Sequence, residues 1–276
     1  MEYPKTHWRV LLTPPAAGAW NMATDEAILQ AVGQGLVPPT LRLYAWEPAC
    51  LSLGYAQPST DVDQPRLEAR GWGLVRRPTG GRAILHTDEL TYSVCAPLSE
   101  PRLAGSVLES YRSLAEALLA ALHALNIPAE SQAAPVSANP ASKGPVCFEV
   151  PSNYEITVQG KKLVGSAQAR RKEGILQHGT LPLHGDLARI TQVLQFPDEN
   201  ARQQAAERLL ARAITAEELL GTPLPWEAAA QAFLAAFQEV LNLELVQDTL
   251  TEDEKSRTAE LVREKYAHPS WTERST

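Results

Sequence analysis

The stretch that decides the fold runs from Gly73 to Cys95 and reads GLVRRPTGGRAILHTDELTYSVC. Its apolar residues fall in three short runs, at 73–77, 83–86 and 90–96, and turn-forming residues separate these runs. Short apolar runs bounded by turn residues predict strands. Working outward, similar runs predict further strands at 41–46, 51–55, 154–158, 162–167 and 174–183. Tight connections favour antiparallel neighbours, so we predict an α+β fold with a mixed, largely antiparallel sheet flanked by helices.

Helical patterns interrupt and then follow these strands. The most regular one begins with Ser106 and Glu109, which have capping-box spacing, and continues with leucines at helical spacing to residue 125. The segment 129–145 is rich in Pro, Ser and Ala, which predicts a loop. The predicted helices are 20–33, 106–125, 200–213, 215–220, 226–241 and 251–266. We therefore predict a main domain over residues 1–225 and a helical C-terminal extension over residues 226–276 packed on it.

Composition excludes several classes of protein. The chain has 276 residues, a net charge of -7 and three cysteines without a CxxC pair. An acidic chain disfavours a generic nucleic-acid binder, and this cysteine pattern disfavours a disulfide framework or a structural zinc site. No apolar run approaches the ~20 residues of a membrane span, and the first residues lack the pattern of a secretory signal, so we expect a cytoplasmic protein. HExxH, P-loop and GxGxxG motifs are absent from the sequence.

The turn at Gly80-Gly81 is the first candidate for ligand binding. Glycine has no Cβ, so a ligand can come close to the backbone there. Arg76, Arg77 and Arg82 lie on or beside this turn. Because guanidinium groups are permanently charged donors for carboxylates and phosphates, the sequence predicts a loop that receives a partly anionic ligand.

Cys147 is the leading candidate nucleophile. It follows the predicted loop directly, whereas Cys50 and Cys95 lie inside apolar runs and read as small core residues. A nucleophilic cysteine needs thiolate character, which nearby cations provide. A lone cysteine is equally consistent with burial as a small hydrophobic residue, so both interpretations of Cys147 stay open at this point.

Lys162 is the second candidate for chemistry. It lies at the mouth of the predicted hairpin 154–167, where a lysine is most often solvated. The small residues Gly165, Ser166 and Ala167 follow it, and small residues in a strand indicate close approach of a ligand or another chain. His86 and His178 end strand-like runs, but no carboxylate stands at a spacing that assigns either to a catalytic dyad. A thioester-based acyl transfer would use the loop, the thiol and the lysine together.

Five motifs in order resemble those of the lipoate and octanoate transferases and ligases, and most closely the LipM-type octanoyltransferases. The similarity extends from about residue 8 to residue 271. The motifs are NMATDEA at 21–27, RRPTGGRAILH at 76–86, CFEVPSNYE at 147–155, GKKLVGSAQ at 160–168 and ILQHG at 175–179. Several motifs in one order are more specific than any single motif.

The resemblance implies a fold shared with biotin and lipoate protein ligases, and the main domain would be the catalytic acyltransferase domain. It implies transfer of an octanoyl group from acyl carrier protein to a lysine of a lipoyl domain, such as glycine cleavage H protein. Cys147 would hold the octanoyl thioester, and Lys162 would orient the acyl carbonyl and assist proton transfer. No cofactor, metal, nucleic acid or membrane is implied. The substrate-binding residues implied are Arg76, Arg77, Thr79, Gly80, Gly81, Arg82, His86, Gly165, Ser166, Ala167, His178 and Gly179.

A local basic surface would suit an acidic carrier protein. The segment 161–172 contains five cations and no acid, and the arginines of the Gly-Gly turn could extend it. Complementary charge steers encounter between proteins. A merely solvated face is the alternative interpretation.

Two related enzymes remain as alternatives. An ATP-dependent lipoate protein ligase is disfavoured because such ligases usually carry a third glycine where this chain has Arg82, commonly bring a full accessory domain, and need no cysteine at position 147. An amidotransferase that moves acyl groups between lipoyl domains also uses a cysteine thioester. A binding module without catalysis is the alternative that an intact Cys147 and Lys162 disfavour most.

Overall fold

A large mixed sheet runs through the centre of the molecule. The computed structural model describes residues 3–133 and 154–274. Their strands are β1 (Thr6–Leu12), β2 (Thr40–Tyr44), β3 (Cys50–Leu53), β4 (Gly73–Arg76), β5 (Ile84–His86), β6 (Glu89–Ala96), β7 (Glu130–Ala133), β8 (Tyr154–Val158), β9 (Lys161–Arg171), β10 (Gly174–Pro182) and β11 (Leu243–Asp248). Eight strands form the large sheet in the order β11-β1-β2-β6-β10-β9-β8-β7, and β4-β3-β5 form a second sheet. In the large sheet β1 pairs in parallel with β2 and β11, and the other pairs are antiparallel.

Helices cover both faces of the large sheet. They are α1 (Gly18–Gly33), α2 (Gln64–Ala69), α3 (Val107–Ala124), α4 (Glu199–Arg212), α5 (Ala216–Leu220), α6 (Trp226–Val240), α7 (Glu252–Leu261) and α8 (Pro269–Thr272). On one face α3 packs against α6, and Tyr92 of β6 contacts Phe233 and Phe237 with ring centroids 6.2 and 6.3 Å apart. On the other face α1 contacts β6 and β10 of the large sheet and β3 and β4 of the small one. Because α1 lies between the two sheets, most of its side chains are buried.

The sequence predictions for strands and helices are largely confirmed. The sheet is mixed and mostly antiparallel, and the helix predicted at 106–125 is α3 with its capping box in place. The helix predicted at 251–266 is α7, which continues as a π-helical turn over Val262–Tyr266. The loop prediction for 129–145 is wrong at its start, where β7 pairs with β8, and residues 134–145 lie outside the described residues.

Besides β7, the strands β1 and β11 were missed, and these two pair with each other from distant parts of the chain. β1 and β11 are neighbours in the sheet although more than 230 residues separate them in sequence. β11 also lies inside the segment expected to be a helical extension, so that segment contributes an edge strand to the central sheet. A short, half-exposed strand is stabilised by its partner's backbone, and side-chain pattern alone does not reveal it. Among the described helices, none is both long and apolar enough to cross a membrane.

Candidate functional site

A cavity of about 450 Å³ lies between the Gly-Gly turn and the strands β9 and β10. Its volume is in the range of pockets that bind small organic ligands. Its twenty lining residues include ten with polar or charged side chains, and the others are apolar, aromatic or glycine. The lining residues are Met22, Tyr44, Trp46, Ser52, Arg77, Gly80, Gly81, Arg82, Ile84, His86, Thr91, Tyr111, Lys162, Gly165, Ser166, Ala167, Gln168, His178, Gly179 and Thr180.

The Gly-Gly turn is held in shape by Arg77. This guanidinium donates to the carbonyl oxygens of Gly80 at 2.8 Å, Arg82 at 2.7 Å and Ser52 at 3.0 Å. Gly81 adopts a positive φ of 94°, and its carbonyl packs so close to Gly54 that a Cβ there would lie 1.9 Å from it. Arg77 therefore shapes the loop that rims the cavity. Glycine is required at position 81 for the positive φ and at position 54 for the close contact with the loop.

Arg76 occupies a different place from the one expected. It is completely buried and is not among the residues that line the cavity. Its guanidinium donates to backbone carbonyls of two segments that meet around it. These acceptors are the carbonyls of Gly54, Tyr55, Gln57, Trp271, Thr272 and Arg274. The structure thus gives Arg76 the position of an anchor between the 54–57 loop and the C-terminal segment, where the sequence predicted a ligand contact.

Lys162 points into the cavity and is almost completely buried. Its side chain is 4% exposed, and its Nζ lies 2.8 Å from Glu155 Oε1 on the neighbouring strand β8. The interpretation of Lys162 as a solvated surface lysine is therefore wrong. A buried ammonium needs a partner of opposite charge, and Glu155 provides one while fixing where the amine can reach.

Small residues on β9 and β10 form the cavity wall beyond Lys162. Gly179 pairs with Ser166 across the two strands, and a Cβ on Gly179 would lie 2.5 Å from Ser166 Oγ and 2.6 Å from the carbonyl of Gly165. Ser166 in turn contacts the hydroxyl of Tyr92 at 2.7 Å. Burial raises the pKa of Tyr92 to about 12, so this hydroxyl is neutral. Small, polar and uncharged groups therefore form the cavity wall at this point.

His178 is held between a hydroxyl and a buried carboxylate. Its Nε2 lies 2.6 Å from Thr79 Oγ1, and its Nδ1 makes a long contact of 3.5 Å with Asp25 Oδ2. Burial lowers the pKa of His178, so the imidazole is neutral near pH 7. Burial acts to raise the pKa of Asp25, but the hydrogen bond with His178 and the charge of Arg42 outweigh it and leave that pKa low. The ionised Asp25 favours a proton on Nδ1, which leaves Nε2 to accept from Thr79.

His86 forms a second buried cluster at the cavity. Its Nδ1 lies 2.6 Å from Glu89 Oε1 and its Nε2 lies 2.8 Å from Ser52 Oγ. Its ring stacks on Trp46 with centroids 3.9 Å apart and planes inclined by 6°. Trp46 Nε1 donates to Thr91 Oγ1 at 2.8 Å, so the aromatic wall of the cavity is itself fixed by a hydrogen bond. Both nitrogens of His86 are engaged, which makes its ring a rigid part of the wall.

The two described cysteines are poor nucleophiles. Burial raises the pKa of Cys50 to about 12, and burial also raises the pKa of Cys95 well above its ordinary value. Both are therefore protonated thiols at neutral pH, which confirms their interpretation as core residues. Cys147 lies outside the described residues.

The structure brings most of the other predicted site residues together. Thr79 does not line the cavity, but it reaches His178, which does. Residues that the sequence reasoning did not single out are Asp25, Trp46, Ser52, Glu89 and Glu155. Asp25 and Glu155 lie inside two of the five motifs, so the motifs could have indicated them. Trp46 and Ser52 reach the cavity only through tertiary packing. In the described part of the chain, no cluster of three or more His, Cys, Asp or Glu residues could hold a metal ion.

Comparison with known proteins identifies the family of the chain. The model of the lipoyl protein ligase A/B catalytic domain matches residues 17–238. The octanoyltransferase LipM of Kyrpidia tusciae is 43% identical over 97% of this chain and 98% of its own length. The octanoyltransferase LipM of Symbiobacterium thermophilum is 42% identical over 98% of this chain and 99% of its own length.

A solved structure extends the agreement to the fold. The bi-partite lipoate protein ligase of Thermoplasma acidophilum has a TM-score of 0.78 at 26% identity, and 99% of each chain is covered. The family model, the relatives and the fold therefore lead to one assignment: the chain belongs to the lipoyl protein ligase A/B catalytic domain family, and within it is a transferase enzyme.

Proposed function

We propose that this enzyme transfers an octanoyl group from octanoyl acyl carrier protein to a lysine of a lipoyl domain, such as glycine cleavage H protein, in lipoate biosynthesis. The observation that carries the proposal is the buried Lys162 at the wall of a 450 Å³ cavity. The cavity offers an apolar and aromatic lining for an acyl chain, and Lys162 offers a positive group for a carbonyl oxygen. The octanoyltransferases at 42% and 43% identity support the choice of acyl group.

The first step is acyl transfer to a cysteine. The thiolate of Cys147 attacks the carbonyl carbon of the carrier thioester, a new C–S bond forms, and the C–S bond to pantetheine breaks. The pantetheine thiolate leaves and takes up a proton. No ATP or metal is required because the donor thioester is already activated.

The second step passes the acyl group to the acceptor. The neutral amine of the acceptor lysine attacks the thioester carbonyl and a C–N bond forms. The C–S bond to Cys147 breaks, Cys147 leaves as a thiolate, and the nitrogen gives up its proton to water. During both steps negative charge develops on the carbonyl oxygen, and a fixed cation in a site shielded from water stabilises it. The Glu155 contact makes Lys162 such a fixed cation.

The assignment of the nucleophile rests on the resemblance and on elimination. The chain has three cysteines. Burial keeps Cys50 and Cys95 protonated, so neither supplies the thiolate that thioester chemistry needs. Cys147 is the remaining thiol, and it opens the motif that ends at Glu155.

An ATP-dependent lipoate protein ligase is the second candidate. The fold similarity to the Thermoplasma acidophilum ligase favours it. The resemblance in sequence argues against it, because Arg82 stands where such ligases usually carry a third glycine. An amidotransferase acting between lipoyl domains would use the same thioester and differs only in its donor.

Intact-protein mass spectrometry separates these candidates. The protein is incubated without ATP with octanoyl acyl carrier protein, and in parallel with an octanoylated lipoyl domain. We expect a gain of one octanoyl group from the carrier, its loss with hydroxylamine, and no gain in Cys147→Ala. Cys147→Ser should acylate poorly, since an alcohol lacks the thiolate population.

Other outcomes would reject the proposal. Full transfer activity in Cys147→Ala would remove the thioester route. Acylation from the lipoyl domain but not from the carrier would establish the amidotransferase. No adduct without ATP, but transfer of free lipoate once ATP is added, would establish the ligase.

A further inference from the structure

An aromatic and basic surface lies beside the Gly-Gly turn. We call it the Tyr55 patch and define it as Tyr55, Arg171, Trp271 and Arg274. The ring of Tyr55 lies 5.8 Å from that of Trp271, and the guanidinium carbon of Arg274 lies 4.1 Å and 4.5 Å from the two ring centroids. The guanidinium carbon of Arg171 lies 5.9 Å from the Tyr55 centroid. Tyr55 itself is 42% exposed.

The two arginines of the patch form no ion pair with a residue that the structure describes. Among the described residues, no carboxylate lies within ion-pair distance of Arg171 or Arg274, and the buried Nε of Arg274 has no hydrogen-bond partner. The neighbouring Lys265 differs, because it pairs with Glu26 at 2.6 Å. A hydrogen bond from Arg274, together with the charges of Arg274 and Arg171, lowers the pKa of the Tyr55 hydroxyl, which shows the sign of the local field. On a chain of net charge -7, such a surface is a local exception.

The patch is continuous with the rim of the cavity but outside it. Arg171 Nη2 contacts the carbonyl of Pro78 at 3.4 Å, and the Tyr55 amide donates to the carbonyl of Thr79 at 2.8 Å. None of the four patch residues lines the cavity. Arg171 also lies on the same strand as the cavity residues Gly165 to Gln168.

We infer that the Tyr55 patch docks the acidic carrier protein that delivers the acyl thioester. This inference rests on the proposed function, since it needs a carrier-bound donor. A negatively charged protein surface complements two guanidinium groups that form no ion pair with a described residue, and the exposed ring of Tyr55, beside the half-buried Trp271, gives it apolar contact. The patch thereby selects a carrier over a free thioester of the same acyl group.

The position of the patch favours the donor over the acceptor. The acceptor presents a lysine, whose stem is only four carbons long, so its domain has to cover the mouth of the cavity. A carrier presents its acyl group on a pantetheine arm that is several times longer, so its body can dock beside the mouth. A charged surface next to the rim suits the partner with the longer reach.

The C-terminal segment builds half of this surface. Trp271 and Arg274 come from the last described turn of the chain, and Tyr55 and Arg171 come from the 54–57 loop and β9. Arg76 ties the 54–57 loop to the C-terminal segment through backbone carbonyls. Arg76, the first arginine of the RRPTGG motif, thus connects two of the segments that carry the Tyr55 patch.

The test compares two donors on the full-length enzyme. The variants are Arg171→Glu, Arg274→Glu and the double variant. The matched control is Lys5→Glu; Lys5 directly precedes β1, its side chain is 69% exposed, and β1 lies four strands away from β9 in the sheet. Enzyme acylation is followed by mass spectrometry with octanoyl acyl carrier protein and with octanoyl-N-acetylcysteamine, which lacks a carrier. Deacylation to a lipoyl domain is timed separately.

We expect the double variant to raise the apparent KM for the carrier-bound donor roughly tenfold or more at low salt. This increase should shrink with added salt, and the control should behave as the wild type. Rates with the small thioester should stay within twofold of the wild type, which also shows that the variants fold. An unchanged KM for the carrier-bound donor would overturn the inference, and so would a defect confined to deacylation, which would assign the patch to the acceptor. If the wild type itself takes no acyl group from the carrier, the proposed function fails rather than the patch.

Discussion

Replacing Arg76 by methionine should release the C-terminal segment and leave the cavity in place. The guanidinium donates to the carbonyls of Trp271 at 3.0 Å, Thr272 at 2.9 Å and Arg274 at 3.4 Å. Methionine fills a similar volume but donates no hydrogen bond. The contact from Trp271 Nε1 to the backbone carbonyl of Arg76, at 2.9 Å, is retained in the variant.

The magnitude follows from these contacts. Two of the three bonds to the C-terminal segment have ordinary lengths and the third is weak. A hydrogen bond to a charged group contributes roughly 1.5–3 kcal/mol, and we take the lower value for each bond. Two bonds then give about 3 kcal/mol of local stability, which corresponds to a roughly 100-fold larger equilibrium constant for local opening.

Hydrogen exchange with mass spectrometry measures this opening. Peptides covering residues 266–274 should exchange roughly 100-fold faster in Arg76→Met, since exchange reports the free energy of local opening. Arg102→Met is the matched control, because Arg102 is equally buried but bonds to the carbonyl of Leu241 and to Glu100. It should leave the exchange of 266–274 unchanged.

One result would refute the anchoring role. If Arg76→Met leaves the exchange of residues 266–274 unchanged and raises KM for both the carrier-bound and the small octanoyl thioester, Arg76 binds substrate as the sequence first indicated. An anchoring role predicts faster exchange and a KM increase confined to the carrier-bound donor.

Three further outcomes follow from the site. Glu155→Gln should lower the single-turnover transfer rate at least several-fold, because a neutral amide no longer holds Lys162 by charge, and it should also lower the urea midpoint, because the buried ammonium loses its counter-charge; an unchanged rate would contradict the positioning role. Gly179→Ala should cost roughly 1–3 kcal/mol in urea unfolding, as overpacking does, whereas Gly80→Ala, whose Cβ would meet no atom within 4 Å, should cost much less. Because burial lowers the pKa of His178 in the folded state, stability should be complete above its unfolded pKa of about 6.5 and fall as the pH drops below it. His178→Gln should show a smaller loss of melting temperature between pH 7.5 and 5.5, and an equal loss would show that this imidazole is not responsible.

Sequence alone determined the features that depend on local chemistry. Capping boxes and apolar periodicity located α3 and α7, and turn residues located the strands around Gly80 and Gly81. The order of the five motifs was sufficient to predict the family, because the residues within each motif are adjacent in the chain. Lys162 was found in the same way, from the small residues that follow it.

Only the tertiary structure decided which polar groups meet. Asp25 and His178 are 153 residues apart, and Arg76 and Trp271 are 195 residues apart. The pairing of β1 with β11 likewise joins the two ends of the described chain. Arg76 and Arg77 are adjacent in sequence and look equivalent there, yet strand alternation places one toward the C-terminal segment and the other beneath the Gly-Gly turn. The partner of a side chain is set by how strands and helices pack. The local sequence specifies the residue type but not the residue that it will contact.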